Sequence, residues 1–201
     1  MHPKINSAFI FLAFIAVSAR TSQAATLYAK QDGSTSASCN SWANACTLTR
    51  AISQASSGDA IWVKKTTETP YGPISLKNGV KIYGGFAGAE TAASQSNPTT
   101  NITTIDGGSS EQCVFGSGDS STTMLRGFTI THGHIANDWD GGGGAVLNGS
   151  SALFVRCIFE NNTANYFGAA VAIRGTGSPQ FVNCIFRNNG SGTSGSSADS
   201  N

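Results

Sequence analysis

The apolar positions of this chain follow two periods. Short runs rich in β-branched, aromatic and aliphatic residues read as strands: Thr26 to Lys30, Ala60 to Val63, Ile74 to Leu76, Val80 to Tyr83, Thr103 to Ile105, Cys113 to Phe115 and Leu125 to Ile130. One stretch differs. Leu48, Ala51, Ile52 and Ala55 fall at i, i+3, i+4 and i+7, which predicts a short amphipathic helix with Thr47 as N-cap. The strongest pattern lies further on. Phe154 to Asn162 recurs as Phe181 to Asn189, with seven of nine positions identical. Val155, Cys157 and Phe159 recur as Val182, Cys184 and Phe186, while Arg156 and Glu160 become Asn183 and Arg187. A constant apolar set beside a variable polar one predicts a strand with one face in a core.

The segment between the two copies is rich in Gly, Ser and Asn and has no helical period, so the chain is expected to wind as a parallel β-helix. Gly127 to Gly133 extends the match one turn upstream, which places Phe128 under Cys157 and Ile130 under Phe159. Small-residue runs, Gly142 to Val146 and Gly168 to Val171, precede the two copies. Glycine permits sharp corners, and asparagines in equivalent turns can stack as a hydrogen-bonded ladder. At about 27 residues per turn, Ala60 to Asn189 makes roughly five coils. Gly84 to Gly88 and Asn97-Pro98 read as loops. The helix is expected to cap the open N-terminal end. The register predicts that Phe159 stacks on Phe186 in the core and that Glu160 pairs with Arg187 outside.

The first 24 residues read as a cleaved signal peptide: Lys4, an apolar run from Ala8 to Ala19, and Ser22-Gln-Ala24 as a small-x-small cleavage site. The run is short for a membrane span, so no transmembrane segment is expected after its removal. The division is then residues 1–24 signal, 25–59 N-terminal cap segment, 60–190 repeats and 191–201 a flexible Gly/Ser tail. Charged residues make up 11% and the net charge is +1, which argues against nucleic acid as a partner. An oxidising compartment is expected to join Cys39 and Cys46 in a disulfide. Cys157 and Cys184, in adjacent coils, are expected to form a buried stack of free thiols.

Three segments carry a family resemblance: Gly58 to Val63, Leu76 to Gly88 and Leu125 to Thr131. They resemble bacterial right-handed parallel β-helix proteins of the pectin-lyase-like type. Gly143-Gly-Ala-Val146 with Phe159 to Asn162, and then Phe186 to Asn189, are similar to the GGA[ILV] and FxxN repeats of polymorphic outer membrane proteins. The second small-residue run departs from that pattern, reading Gly168-Ala-Ala. The resemblance implies a right-handed, single-stranded, all-β solenoid at the cell surface, outside the cell or at the outer membrane. Larger members continue for many more coils, so this chain is expected to be a short secreted module or a truncated piece, with an open C-terminal end that packs on further coils or another chain.

The resemblance also brings in polysaccharide lyases and glycosidases, which use carboxylates with Arg or Lys on one strand face. The candidates are Asp106, Asp119, Asp138, Asp140, Arg126, Arg156 and Arg174, and no two carboxylates share an expected outward face. His132 and His134 with Asp138 and Asp140 have ligand chemistry, but solvated loop residues are the simpler reading, so no metal and no cofactor is expected. Trp139 and Tyr166, with Phe167, sit at coil corners where aromatic rings can stack on sugars or pack under a loop. The leading function is a non-catalytic surface module for adhesion or for binding polysaccharide or cell-surface glycan. The alternative is a carbohydrate-active enzyme or its remnant.

Overall fold

The computed structural model describes residues 23–136, 141–166 and 168–191. Nearly all of the expected signal peptide and tail, with Asp138, Trp139, Asp140 and Phe167, lies outside those residues. The chain folds as an all-β parallel solenoid. A first sheet stacks Thr26–Ser34, Ala60–Lys64, Lys81–Phe86, Met124–Arg126, Leu153–Val155 and Gln180–Val182 in that order. A second stacks Thr104–Asp106, Thr129–Thr131, Ile158–Glu160 and Ile185–Arg187. A third stacks Ile74–Ser75, Val114–Ser117, Ala145–Asn148 and Val171–Arg174. A short fourth stacks His134–Ile135, Thr163–Ala164 and Gly190–Ser191.

Coil length varies. Ala60 pairs with Lys81, Lys81 with Met124, Met124 with Leu153 and Leu153 with Gln180. The first of these coils is shorter than the repeat, the second much longer, and only the last two match it. The uniform winding expected from the repeat therefore holds only at the end. The winding also starts before Ala60, because Thr26–Ser34 pairs in parallel with Ala60–Lys64. The helix spans Leu48–Gln54, with the Thr47 hydroxyl accepting the Arg50 N–H, and buries Leu48 and Ala51. It packs beside Ile74 and Ser75, the first strand of the third sheet.

The repeat is two strands rather than one. Leu153–Val155 belongs to the first sheet and Ile158–Glu160 to the second, with a corner at Arg156 and Cys157. The corner residue is left-handed in three successive coils: Gly127 at φ 75°, Arg156 at 50° and Asn183 at 53°. One left-handed residue turns the chain and resets which side chains face inward. Phe154 therefore points into the core and Val155 outward, contrary to the single-face reading of Val155, Cys157 and Phe159. Leu125 to Ile130 is likewise split at Gly127. Nor is Gly84-Gly-Phe86 a loop; it continues a strand, with a register shift against Trp62 and Lys64. Gly85, at φ 88°, accommodates that irregularity.

The core is a set of columns. Leu27, Ile61, Ile82, Leu125, Phe154 and Phe181 share one register in the first sheet. Ile105, Ile130, Phe159 and Phe186 share one in the second. Phe159 and Phe186 stack with ring centroids 5.0 Å apart, as do Phe154 and Phe181. Asn162, fully buried, forms the expected ladder. Its Nδ2 donates to Ile130 O and Asn189 Oδ1, each at 2.9 Å, and its Oδ1 accepts the Gly133 N–H at 2.9 Å. Outside, Arg187 Nε donates to Glu160 Oε2 at 2.6 Å.

Phe159→Ala is expected to cost about 3–5 kcal/mol in chemical denaturation, and Phe186→Ala clearly less, because its ring is covered on one side only. Equal losses would contradict the columns. The Glu160–Arg187 pair is worth about 0.2–1 kcal/mol. In a double-mutant cycle, reversing both charges should recover what either single reversal loses.

Candidate functional site

The outward face of the first sheet carries a column of aromatic side chains. Tyr28 pairs in register with Trp62, Trp62 with Tyr83, and Tyr83 with Arg126. The guanidinium of Arg126 lies 5.9 Å from the centroid of the Tyr83 ring, within cation–π range. Two loops close over the column. The first is fastened by the Cys39–Cys46 disulfide and carries Trp42 to 4.9 Å from Tyr28, edge to face. The second follows Phe86, whose ring stacks on Trp62 at 5.0 Å and lies 5.8 Å from Trp42. Trp62 and Phe86 are buried, while Tyr28, Trp42 and Tyr83 are partly exposed, as is Arg126. The result is a rigid aromatic panel with a buried base and an accessible rim.

Glu90 locks the second loop. Its carboxylate accepts the backbone N–H groups of Ala87, Gly88 and Ala89 at 2.6 to 2.9 Å, and its carbonyl accepts the Trp42 indole N–H at 3.0 Å. Burial pushes this carboxyl up, but the backbone donors outweigh it and hold the pKa below the ordinary 4.5.

Among the described residues the charged candidates do not converge. Asp106 Oδ2 lies 2.9 Å from His132 Nδ1 on the outer edge of the second sheet. Asp119 is buried at another corner, where Ser150 Oγ donates to it at 2.9 Å. Burial raises its pKa, which suits a corner brace. Arg126 belongs to the panel, and Arg156 occupies the left-handed corner. Arg174 lies in the end strand of the third sheet. His134 Nδ1 pairs with Thr163 Oγ1 at 2.8 Å. Among the described residues no three His, Cys, Asp or Glu side chains group as a metal site. One expectation needs correction. Asp106, Thr131 and Glu160 share a register, so two carboxylates do occupy one outward face, two coils apart. The repeat period itself carried this signal, because Asp106 and Glu160 stand 54 residues apart, two repeat lengths of 27.

Tyr166 is partly buried beyond Thr163–Ala164, and Trp139 lies outside the described residues. The free thiols are Cys113, Cys157 and Cys184. Cys113 is pushed up to about 12, first by burial and then by Asp106. Burial also drives Cys157 well up, so it is a packing residue beneath the half-buried Cys184. A groove of about 430 Å³ runs between the helix and the third sheet, lined by Ile52, Ser53, Ile74, Ser75 and Phe115 with Glu111 at its lip.

A family described as protein of unknown function (DUF1565) matches residues 31–199, most of the chain. The chain belongs to the DUF1565 family. No curated protein and no solved structure matches this DUF1565 chain. The family's β-helix-like character agrees with the parallel stack. Among its described residues no helix is long and apolar enough to cross a membrane.

Sequence reading missed the panel because Tyr28, Trp62 and Tyr83 recur at unequal intervals, neither of which is that of the repeat. Their outward position in three consecutive strands of one sheet was the available signal.

The Glu90 lock has a defined pH dependence. Its folded pKa lies below the unfolded value, so its stabilisation is complete above about pH 4.5 and is lost as pH falls through the folded value. Tryptophan emission should report loop release on acidification. Glu90→Gln, which lacks the titrating carboxylate, should not show that transition.

Proposed function

We propose that this protein is an exported, non-catalytic β-helix module that binds polysaccharide or cell-surface glycan through the aromatic panel. The carrying observation is the partly exposed rim of Tyr28, Trp42 and Tyr83 beside Arg126. Aromatic faces stack on the apolar C–H faces of sugar rings, while the phenol and guanidinium groups donate hydrogen bonds to hydroxyls or carboxylates. A sheet holds such rings in fixed positions, which lowers the ordering cost of binding. Arg126 favours acidic sugars. The apolar run from Ala8 to Ala19 with its cleavage signal supports export. The Gly-Gly-Ala and Phe-x-x-Asn segments support a surface β-helix of the pectin-lyase-like type with outer-membrane-protein repeats.

The shared face of Asp106 and Glu160 favours one second reading, a glycosidase. Two strand spacings put their Cα atoms about 9–10 Å apart, and carboxyl groups roughly 6.5–9.5 Å apart suit inverting hydrolysis. Both carboxylates are already engaged, by His132 and Arg187, which makes this the weaker reading.

A glycan array and calorimetry test the proposal. Trp42→Ala and Tyr83→Ala should each weaken binding at least about tenfold, equivalent to about 1.4 kcal/mol, without loss of fold. A wild-type protein that binds no glycan would overturn it. Turnover of a polysaccharide that disappears in Asp106→Asn would establish the glycosidase instead.

A further inference from the structure

We propose that the exposed end of the coil stack is a self-association surface, on which a second copy of this chain docks tail to tail about a two-fold axis. This is independent of the glycan reading. Phe159 is 0% exposed, whereas Phe186, its equivalent one coil on, is 41% exposed. Leu147 and Ile173 share a register in the third sheet and differ in the same way, at 0% and 53%. Gln180–Val182, Ile185–Arg187 and Val171–Arg174 are the end strands of three sheets, each with one edge unpaired among the described residues. An apolar cross-section ringed by open strand edges is a template for pairing.

Three observations choose the occupant. A further coil of the same geometry is opposed at Ala170. A Cβ on its equivalent, Gly144, would collide with the carbonyl oxygen of the coil above, and Ala170 carries that Cβ. Head-to-tail stacking is opposed by the helix Leu48–Gln54, which packs on the first strand at the other end, so a closed pair forms in preference to a filament.

The third observation is self-complementarity. The strand Ile185–Arg187 is centred on Phe186. Antiparallel pairing about a two-fold axis through that residue sets Phe186 against the partner's Phe186 and Ile185 against the partner's Arg187. No like charges meet, and Arg187 is already paired with Glu160. The same rotation carries the end strand of the first sheet onto that of the third, where Val182 and Ile173 are exposed.

Sedimentation of the purified full-length chain, with hydrogen exchange of residues 180–187, tests this. The wild type should be a dimer that dissociates on dilution, with those amides protected only in the dimer. Phe186→Asp and, as a milder change, Ile185→Lys lie at exposed positions and should raise the dimer dissociation constant at least about a hundredfold while leaving circular dichroism unchanged. Tyr83→Ala should leave the dimer intact. A monomer at every concentration overturns the proposal, as does a dimer that survives both end substitutions. Open-ended oligomers would point to head-to-tail stacking and overturn it too. Protection of residues 180–187 in a monomer would mean that the chain's own tail covers the end, which also overturns it.

Discussion

The controlling constraint is that each coil must lay its inward side chains and its backbone hydrogen bonds on the coil below. Backbone groups inside the stack have no water to turn to, so a register error of one residue would orphan them and flip every side chain. The left-handed corner at Gly127, Arg156 and Asn183 makes the constraint satisfiable, because it turns the chain at the same place in each coil. Asn162 extends the ladder into a side chain, linking the backbone of the coil below to Asn189 above. Phe on Phe then follows from the register as much as from any preference of the rings.

Because the strands must stay in register, variation is pushed into the connections. The last two coils, from Met124 to Leu153 and from Leu153 to Gln180, are close to minimal. The coil from Lys81 to Met124 is far longer and carries an excursion held by Glu90 against Trp42. The N-terminal segment adds a loop closed by the Cys39–Cys46 disulfide. Both excursions fold back over the same outward face, so the aromatic panel sits where the solenoid departs most from its repeat. Recognition residues placed on excursions from a rigid stack can vary without disturbing the core.

The two ends of the stack are unlike. At the beginning a helix packs beside the third sheet and buries Leu48 and Ala51 in the core. At the other end the inward column runs out into solvent at Phe186 and Ile173. A solenoid has no closed core, so each end needs its own solution, and the asymmetry here bears on association rather than on the fold of a single coil.

The sequence by itself determined the parallel coil, the helix with its Thr47 cap, the Phe159–Phe186 and Glu160–Arg187 registers and the asparagine ladder. All of these are written in local period or in the recurrence of Phe154 to Asn162 at Phe181 to Asn189. It misread Val155 as inward and Gly84 to Phe86 as a loop, because one positive φ at Arg156 or Gly85 shifts the alternation and no periodicity carries that information. Only the tertiary structure decided which distant residues share a face. Tyr28, Trp62 and Tyr83 are brought together by coils of unequal length. Register in a parallel stack is set by the hydrogen-bonded ladder and the core beneath it, and the length of a connecting loop leaves no trace in the alternation of the strands it joins.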